Sequence, residues 1–314
     1  MLHDTPYIRR LVSAYPADAA EALLRVEQRL DSDPVFAAKF DTLVHNYMVA
    51  AAIGLDAALD ALKTLAEEYE INVYTLHFVY IMNCTGILKA RYAEQGIDEA
   101  VFWQGVDDLR CKLLECIEVK GVPGTFVAGW NNGFLKMTRF AYGRFQFEWS
   151  TYDRDFGFVM PSGRVVKKGD RYVNFHIPSS GVPLTDDVRL ASYKEAYEHY
   201  KDAFGDRPVL FGCGSWLLYP RHREFLPPAL NILKFMDDFE IVDWEEEKDG
   251  FHNDWRVFGR YTGTPWKDMP RDTSLRKAYA DWLAAGNPAG HAFGLFEFDG
   301  ERIVRAKGAQ GAQE

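Results

Sequence analysis

Cysteine is scarce in this chain: four thiols, Cys84, Cys111, Cys116 and Cys213, in 314 residues. The step from Cys111 to Cys116 matches neither zinc nor redox spacing. Cys84, Cys111 and Cys116 fall in apolar helical patterns and read as buried thiols, which fits a reducing cytoplasm. Basic runs are also missing. None exceeds Lys167-Lys168, and the net charge is −10. No nucleic-acid partner is expected from such a surface. No apolar stretch is long enough to cross a bilayer, and the start, Met1-Leu2-His3-Asp4-Thr5-Pro6, lacks the basic and apolar regions of a signal peptide. No membrane partner is expected, and the localisation expected is cytoplasmic. The eight histidines are scattered, with neither an H-x₃-H nor an H-E-x-x-H step, so no metal is expected. Walker spacing, G-x-G-x-x-G and internal repeats are absent too.

What is present is apolar and aromatic. Hydrophobic residues make up 47% and charged residues 26%, enough to build packed cores throughout. At this length two domains are expected. From Thr5 to about Glu118 the apolar spacing is helical. Ala19, Leu23, Val26 and Leu30 share one helix face. Asp33-Pro34 predicts a helix start, with Asp33 as cap and Pro34 in the first turn. A further helix is predicted over Thr42 to Ala52, then one over Leu55 to Tyr69. Asn72 to Tyr92 is apolar enough to be a central buried helix. Ile97-Asp98 opens the last.

Lys120-Gly121-Val122-Pro123-Gly124 interrupts this style. We therefore place a helical domain at 1–120 and a second domain at 121–314. The second opens with strand signals. Arg139 to Ser150 alternates, with Phe145, Phe147 and Trp149 on one face and Arg144, Gln146 and Glu148 on the other. Short strands are predicted at Phe156 to Met160 and Tyr172 to Ile177. A loop, Pro178 to Thr185, leads into a helix to about Phe204. Pro208 to Gly212 reads as a buried strand, Glu224 to Asp238 as a helix, and Phe239 to Asp243 and Asp254 to Arg260 as strands. Thr273 to Ala285 reads as a helix, and Phe293 to Arg305 as a hairpin turning at Asp299-Gly300. The fold class is α+β: an all-helical first domain, then a mixed sheet with one parallel strand–helix–strand crossover from Tyr172 to Gly212.

Four groups in the second domain can carry chemistry. Glu148 and His176 share the polar face of neighbouring strands. A carboxylate beside an imidazole makes a general base, because it fixes the tautomer and raises basicity; a structural polar pair is the plain alternative. The loop Pro178 to Thr185 precedes a helix start, where backbone N–H groups attract anions. A plain strand-to-helix connection is the alternative. Phe211-Gly212-Cys213-Gly214-Ser215-Trp216 puts small residues at a strand end, where a ligand can reach the backbone. Tyr219-Pro220-Arg221-His222-Arg223-Glu224 offers cations for phosphate or carboxylate, or a solvated helix start paired to Glu224.

Phe147-Glu148-Trp149-Ser150-Thr151-Tyr152-Asp153, Asn174-Phe175-His176-Ile177-Pro178-Ser179-Ser180-Gly181, Ser215-Trp216-Leu217-Leu218-Tyr219-Pro220 and Asp272-Thr273-Ser274-Leu275-Arg276 resemble a bacterial family of acyltransferase-domain proteins. Its members join a helical N-acyltransferase N-terminal domain to a GNAT-like C-terminal domain. The resemblance covers nearly the whole chain. It implies a second domain with a GNAT-like mixed sheet and an acyl-CoA co-substrate, acetyl-CoA or longer. The acyl-CoA would lie between two splayed parallel strands, Tyr172–Ile177 and Pro208–Gly212, with its pyrophosphate at the loop Pro178–Thr185. Only Gly181 matches the usual Q/R-x-x-G-x-G/A phosphate loop. By the same resemblance Ile177, Ser179, Ser180, Gly181, Ser215, Trp216 and Arg221 would contact the acyl-CoA, Glu148 or His176 would be the base, and Tyr219 the acid. The acceptor implied is an amine of a small molecule or a protein, with a homodimer as the expected assembly. Two other readings stay open: a non-catalytic ligand-binding or regulatory protein keeping this fold, and a thiol enzyme using Cys213.

Overall fold

The computed structural model describes residues 3–305. The chain forms two compact units, Met1–Phe140 and Ala141–Glu314. The first holds α1 (Pro6–Val12), α2 (Ala17–Ser32), α3 (Pro34–Met48), α4 (Leu55–Glu68), α5 (Val73–Glu94), α6 (Glu99–Lys120) and the short α7 (Asn132–Leu135). The predicted Asp33 cap forms, and two further caps join it. The Asp33 carboxylate accepts from the backbone N–H groups of Val35 and Phe36, both at 3.0 Å. Asn72 caps α5 through Tyr74, at 2.9 Å, and Asp98 caps α6 through Ala100, at 2.7 Å. Replacing Asp33 by alanine should cost about 1 kcal/mol in a urea melt; a loss below a few tenths would show that Pro34 alone starts the helix. The segment from Thr42 is not a separate helix but the end of α3. α5 is apolar all round because it is buried all round: Leu76, Phe78, Val79, Tyr80, Ile81 and Met82 are all inaccessible.

The Gly/Pro stretch after α6 does not end this unit. Gly121 takes the left-handed cap conformation, with φ +71°. Gly124 then presses on the start of α5, where a methyl group would lie 2.4 Å from the Tyr74 carbonyl carbon. Thr125 N–H donates to the Tyr74 carbonyl at 3.0 Å. These contacts keep residues 121–140 with the helices, whereas the sequence places the division at 120.

The sheet of the second unit is made of β1 (Arg139–Tyr142), β2 (Phe145–Thr151), β5 (Arg171–His176), β6 (Val209–Ser215), β7 (Glu240–Glu246) and β8 (Gly290–Phe298); β3 (Phe158–Val159) and β4 (Val165–Val166) pair apart from it. The strand order is β1-β2-β5-β6-β8-β7. The β5–β6 pair is parallel; β2–β5, β6–β8 and β7–β8 run antiparallel. The crossover between β5 and β6 is α8 (Asp186–Tyr200). The single strand predicted over Arg139 to Ser150 is a hairpin instead. Gly143, with φ +59°, makes the turn, and buried Ser192 of α8 holds it, donating to the Tyr142 carbonyl and accepting from Phe145 N–H.

The helix predicted over Glu224 to Asp238 is broken into α9 (His222–Phe225) and α10 (Asn231–Met236). Pro227 and Pro228 lie between them and lack the N–H groups a continuous helix needs. The strand predicted over Asp254 to Arg260 is a helix, α11 (Asp254–Phe258), followed by a 3₁₀ turn. So short an apolar run cannot set its own period, and Val257 and Phe258 are drawn into a separate core with Phe251, Met269 and Tyr279. α12 (Ser274–Ala284) forms as predicted, capped by the Thr273 hydroxyl. The terminal hairpin reduces to one bridge, Phe298 to Ile303. The main core lies under α8, where Phe145, Phe147, Phe175, Phe211 and Phe296 meet Tyr193 and Tyr200.

Candidate functional site

β5 and β6 pair at only two levels, Val173 with Phe211 and Asn174 with Gly212. Both strands run on, β5 to His176 and β6 to Ser215. Each is held there by its other neighbour: His176 pairs with Gln146 of β2, and Ser215 with Ala292 of β8. The two strands therefore diverge, leaving an opening between their C-terminal ends.

Side chains alternate across a sheet. On β5, Val173 and Phe175 face α8, so Tyr172, Asn174 and His176 face the other way. Glu148 sits on that second face too, in register with Asn174. Its diagonal reach to His176 closes to 2.5 Å between Oε1 and Nε2. Asn174 Nδ2 is 3.2 Å from the same ring nitrogen. Both members of the pair are mostly covered, with side chains 21% and 22% exposed, a setting that strengthens a charged hydrogen bond without dehydrating it fully. A carboxylate only accepts, so the proton of this contact belongs to Nε2.

Ile177 continues β5 into the loop and packs on the main core. Ser179 and Gly181 are exposed, and Gly181 has φ +80°, which only a glycine adopts at low cost. The Ser180 hydroxyl accepts from Val182 N–H at 3.3 Å. Arg144, from the β1–β2 turn, holds the loop from outside: Nη1 donates to the Pro178 carbonyl at 2.7 Å and Nε to that of Val182 at 2.9 Å. In the sequence Arg144 is one member of an alternating strand, and only the turn at Gly143 reveals its reach. The helix start beyond the loop is acidic. Asp187 is held below the usual carboxylate range, chiefly by the Thr185 hydroxyl, and Asp186 pairs with Arg189 at 3.0 Å. These acids already complement the helix dipole.

The remaining candidates stand elsewhere in the second unit. Ser215 ends β6 at the opening, where its hydroxyl caps a 3₁₀ turn through Leu217 N–H at 3.1 Å. Trp216 leaves for the separate core, packing on Phe251 and Tyr279. Tyr219 lies against Gly290 of β8, and its hydroxyl donates to Glu246 of β7 at 3.3 Å. Burial, and then the Glu246 charge, push its phenol up to about 12. Arg221 pairs with Glu224 and Glu246, both at 3.0 Å, over the Trp282 ring. Tyr219 and Arg221 are thus on the β7–β8 side of β6, away from the Glu148–His176 pair.

Cys213 is buried on β6, and burial pushes its thiol up to about 12. Since the thiolate is the nucleophile, the thiol-enzyme reading loses its reactive group. Among the described residues no cluster of His, Cys, Asp and Glu can hold a metal, and no helix is long and apolar enough to cross a membrane.

His222, fully buried, packs 2.5 Å from the Tyr279 hydroxyl, and burial lowers its pKa to about 4. The unfolded chain, with a pKa near 6.5, then binds the proton more readily than the folded one. The contribution of His222 is complete above about pH 6.5 and is lost as pH falls towards 4, by about 3 kcal/mol in total. Urea melts between pH 7 and 4 should show this fall, and His222→Asn should flatten it; equal slopes in the two proteins would refute the assignment.

No curated protein sequence is similar enough to this chain to count as a relative. Solved structures are. An acyltransferase mutant in complex with octanoyl-CoA matches with a TM-score of 0.71 at 20% identity, over 95% of this chain and 90% of that one. An acyltransferase in complex with decanoyl-CoA and teicoplanin matches at 0.68 and 21% identity, over 92% and 85%. At such identities the likeness is one of fold. Family models match nearly the whole chain: the N-acyltransferase N-terminal domain over residues 6–137 and the GNAT-like C-terminal domain over residues 140–296. The chain thus belongs to the family that joins an N-acyltransferase N-terminal domain to a GNAT-like C-terminal domain.

Proposed function

We propose that the chain is an acyl-CoA-dependent N-acyltransferase whose thioester lies in the opening between β5 and β6. The observation that carries this is the parallel pair that stops at Asn174 and Gly212 while a hydrogen-bonded Glu148–His176 pair stands at its open end. The acceptor amine loses a proton to His176 Nδ1, with Glu148 holding the opposite ring nitrogen and stabilising the imidazolium. The amine nitrogen attacks the thioester carbonyl, the new C–N bond forms, the C–S bond breaks, and the CoA thiolate takes its proton from solvent. Backbone N–H groups at the diverging strands hold the developing oxyanion. Ile177, Ser179, Ser180 and Gly181 flank the phosphates, and Arg144 supplies the loop's positive charge. Tyr219 and Arg221 have no step in this scheme.

The acceptor we favour is an amine on a small molecule, since one structural neighbour is complexed with teicoplanin. A protein acceptor and a homodimer remain the finer sequence expectations. A cytoplasmic enzyme would meet acyl-CoA directly. The test is thiol release from acyl-CoAs of graded chain length over a panel of amines, with melting temperature measured alongside. Amine-dependent release supports the proposal. Stabilisation by acyl-CoA without release from any amine favours a binding protein, a reading the acidic start of α8 supports. No stabilisation by any acyl-CoA contradicts both.

A further inference from the structure

The face of β6 that turns away from α8 carries almost no side chains where the strands diverge. Its positions there are Gly212 and Gly214. Gly214 is exposed, and a methyl group placed on it would meet nothing within 4 Å. Gly212 is the opposite: a methyl group there would lie 2.6 Å from the Tyr172 ring and 2.9 Å from Leu295. Tyr172, on the same face of β5 as Asn174 and His176, therefore lies across the strand at the closed end of the opening. Its ring packs on Phe293 at 5.5 Å. Phe293 and Leu295, paired with Gly214 and Gly212, form the wall towards β8. Asn174 and His176 form the wall towards β2. The result is a short strip of bare backbone, open at Gly214 and stopped at Gly212 by a buried ring.

We infer that this strip seats the acyl chain, and that Tyr172 is the end stop that limits the enzyme to short acyl groups. The inference rests on the acyl-CoA reading above. Two residues beyond the last paired level, His176 and Gly214 stand across the opening from each other, and that is where the base requires the thioester carbonyl to be. An acyl chain running inward follows the strip for two residues, about 7 Å, before meeting Tyr172. The carbon–carbon bonds of an octanoyl chain, at about 1.5 Å each, extend it to roughly 9 Å, so it does not fit ahead of the ring. Acetyl to butanoyl groups do. Removing the ring opens the space between Leu295 and Phe293 to further methylenes, each strengthening binding by about fourfold.

The test uses the full-length protein and needs no acceptor: titration calorimetry of acetyl-, butanoyl-, octanoyl- and decanoyl-CoA, with melting temperatures of each variant. Wild type should bind acetyl- and butanoyl-CoA more tightly than octanoyl- or decanoyl-CoA. Tyr172→Ala should bind octanoyl-CoA at least about tenfold more tightly than wild type does, with acetyl-CoA affinity within about threefold. Gly214→Leu, at an open position with ordinary backbone, should keep the wild-type melting temperature and lose at least about tenfold in affinity for every acyl-CoA while free CoA binds as before. If Tyr172→Ala does not fold, Gly214→Leu decides alone. An unchanged chain-length profile in Tyr172→Ala, unchanged acyl-CoA affinity in Gly214→Leu, or a wild type that prefers decanoyl-CoA overturns the inference and leaves the acyl-CoA reading standing. A wild type that binds no acyl-CoA overturns both.

Discussion

His176→Ala should lower turnover at saturating acyl-CoA by about 10²–10⁴-fold while leaving acyl-CoA affinity within a few-fold. The split follows from position. His176 stands at the open end of the β5–β6 pair, where an amine would approach, and its Nε2 is committed to Glu148 at 2.5 Å. It takes the amine's proton in the transition state and contributes little to holding the donor. Glu148→Gln keeps the shape but removes the charge that stabilises the imidazolium, so a smaller loss of the same kind is expected, again in kcat rather than in donor binding. Steady-state kinetics with the best amine, together with acyl-CoA titrations, separate the two effects. Loss of donor affinity with normal kcat in either variant would make the pair a structural one.

The second large effect is on stability. Asp238→Ala should cost about 3–5 kcal/mol in a urea melt. Asp238 accepts from Arg189 Nε at 2.7 Å, from Arg189 Nη2 at 3.1 Å and from the Tyr193 hydroxyl at 2.9 Å. Arg189 is 4% exposed. Without the carboxylate its guanidinium keeps the carbonyls of Leu184 and Lys234 and the exposed Asp186, and the charge loses its buried counter-ion. The same arginine ties α8 to the end of the loop at Leu184, so acyl-CoA affinity should fall along with stability. Replacing both partners, as Arg189→Met with Asp238→Leu, should recover most of the loss, because the cost lies in the unpaired charge. A single variant losing under 1 kcal/mol would show that the pair is open to water.

Much of this was legible in the residues. Asp33 announces its helix because a short polar side chain before an apolar period has one good use. Glu148 and His176 are legible as a pair because strand alternation assigns faces and leaves only the register unknown. The rest depends on contacts distant in sequence. Gly143 turns a strand into a hairpin only because Ser192, on α8, waits to bond both sides of the turn. Residues 254–258 follow a core built from Phe251 and Tyr279 rather than their own period. Gly212 and Gly214 look alike in sequence, yet one is filled by Tyr172 and the other is open, and only the packing of β5 on β6 tells them apart. Tyr219 and Arg221 share a motif with Ser215, but the 3₁₀ turn at Trp216 carries them to β7 and β8.

The most direct test of the proposed chemistry is a crystal structure of the full-length protein with acetyl-CoA. The expected result is a thioester between β5 and β6, its carbonyl beside His176 and its methyl group on the Gly214 strip, with the phosphates along Ser179 to Gly181. Acetyl-CoA bound elsewhere, with the opening between β5 and β6 empty, would contradict it.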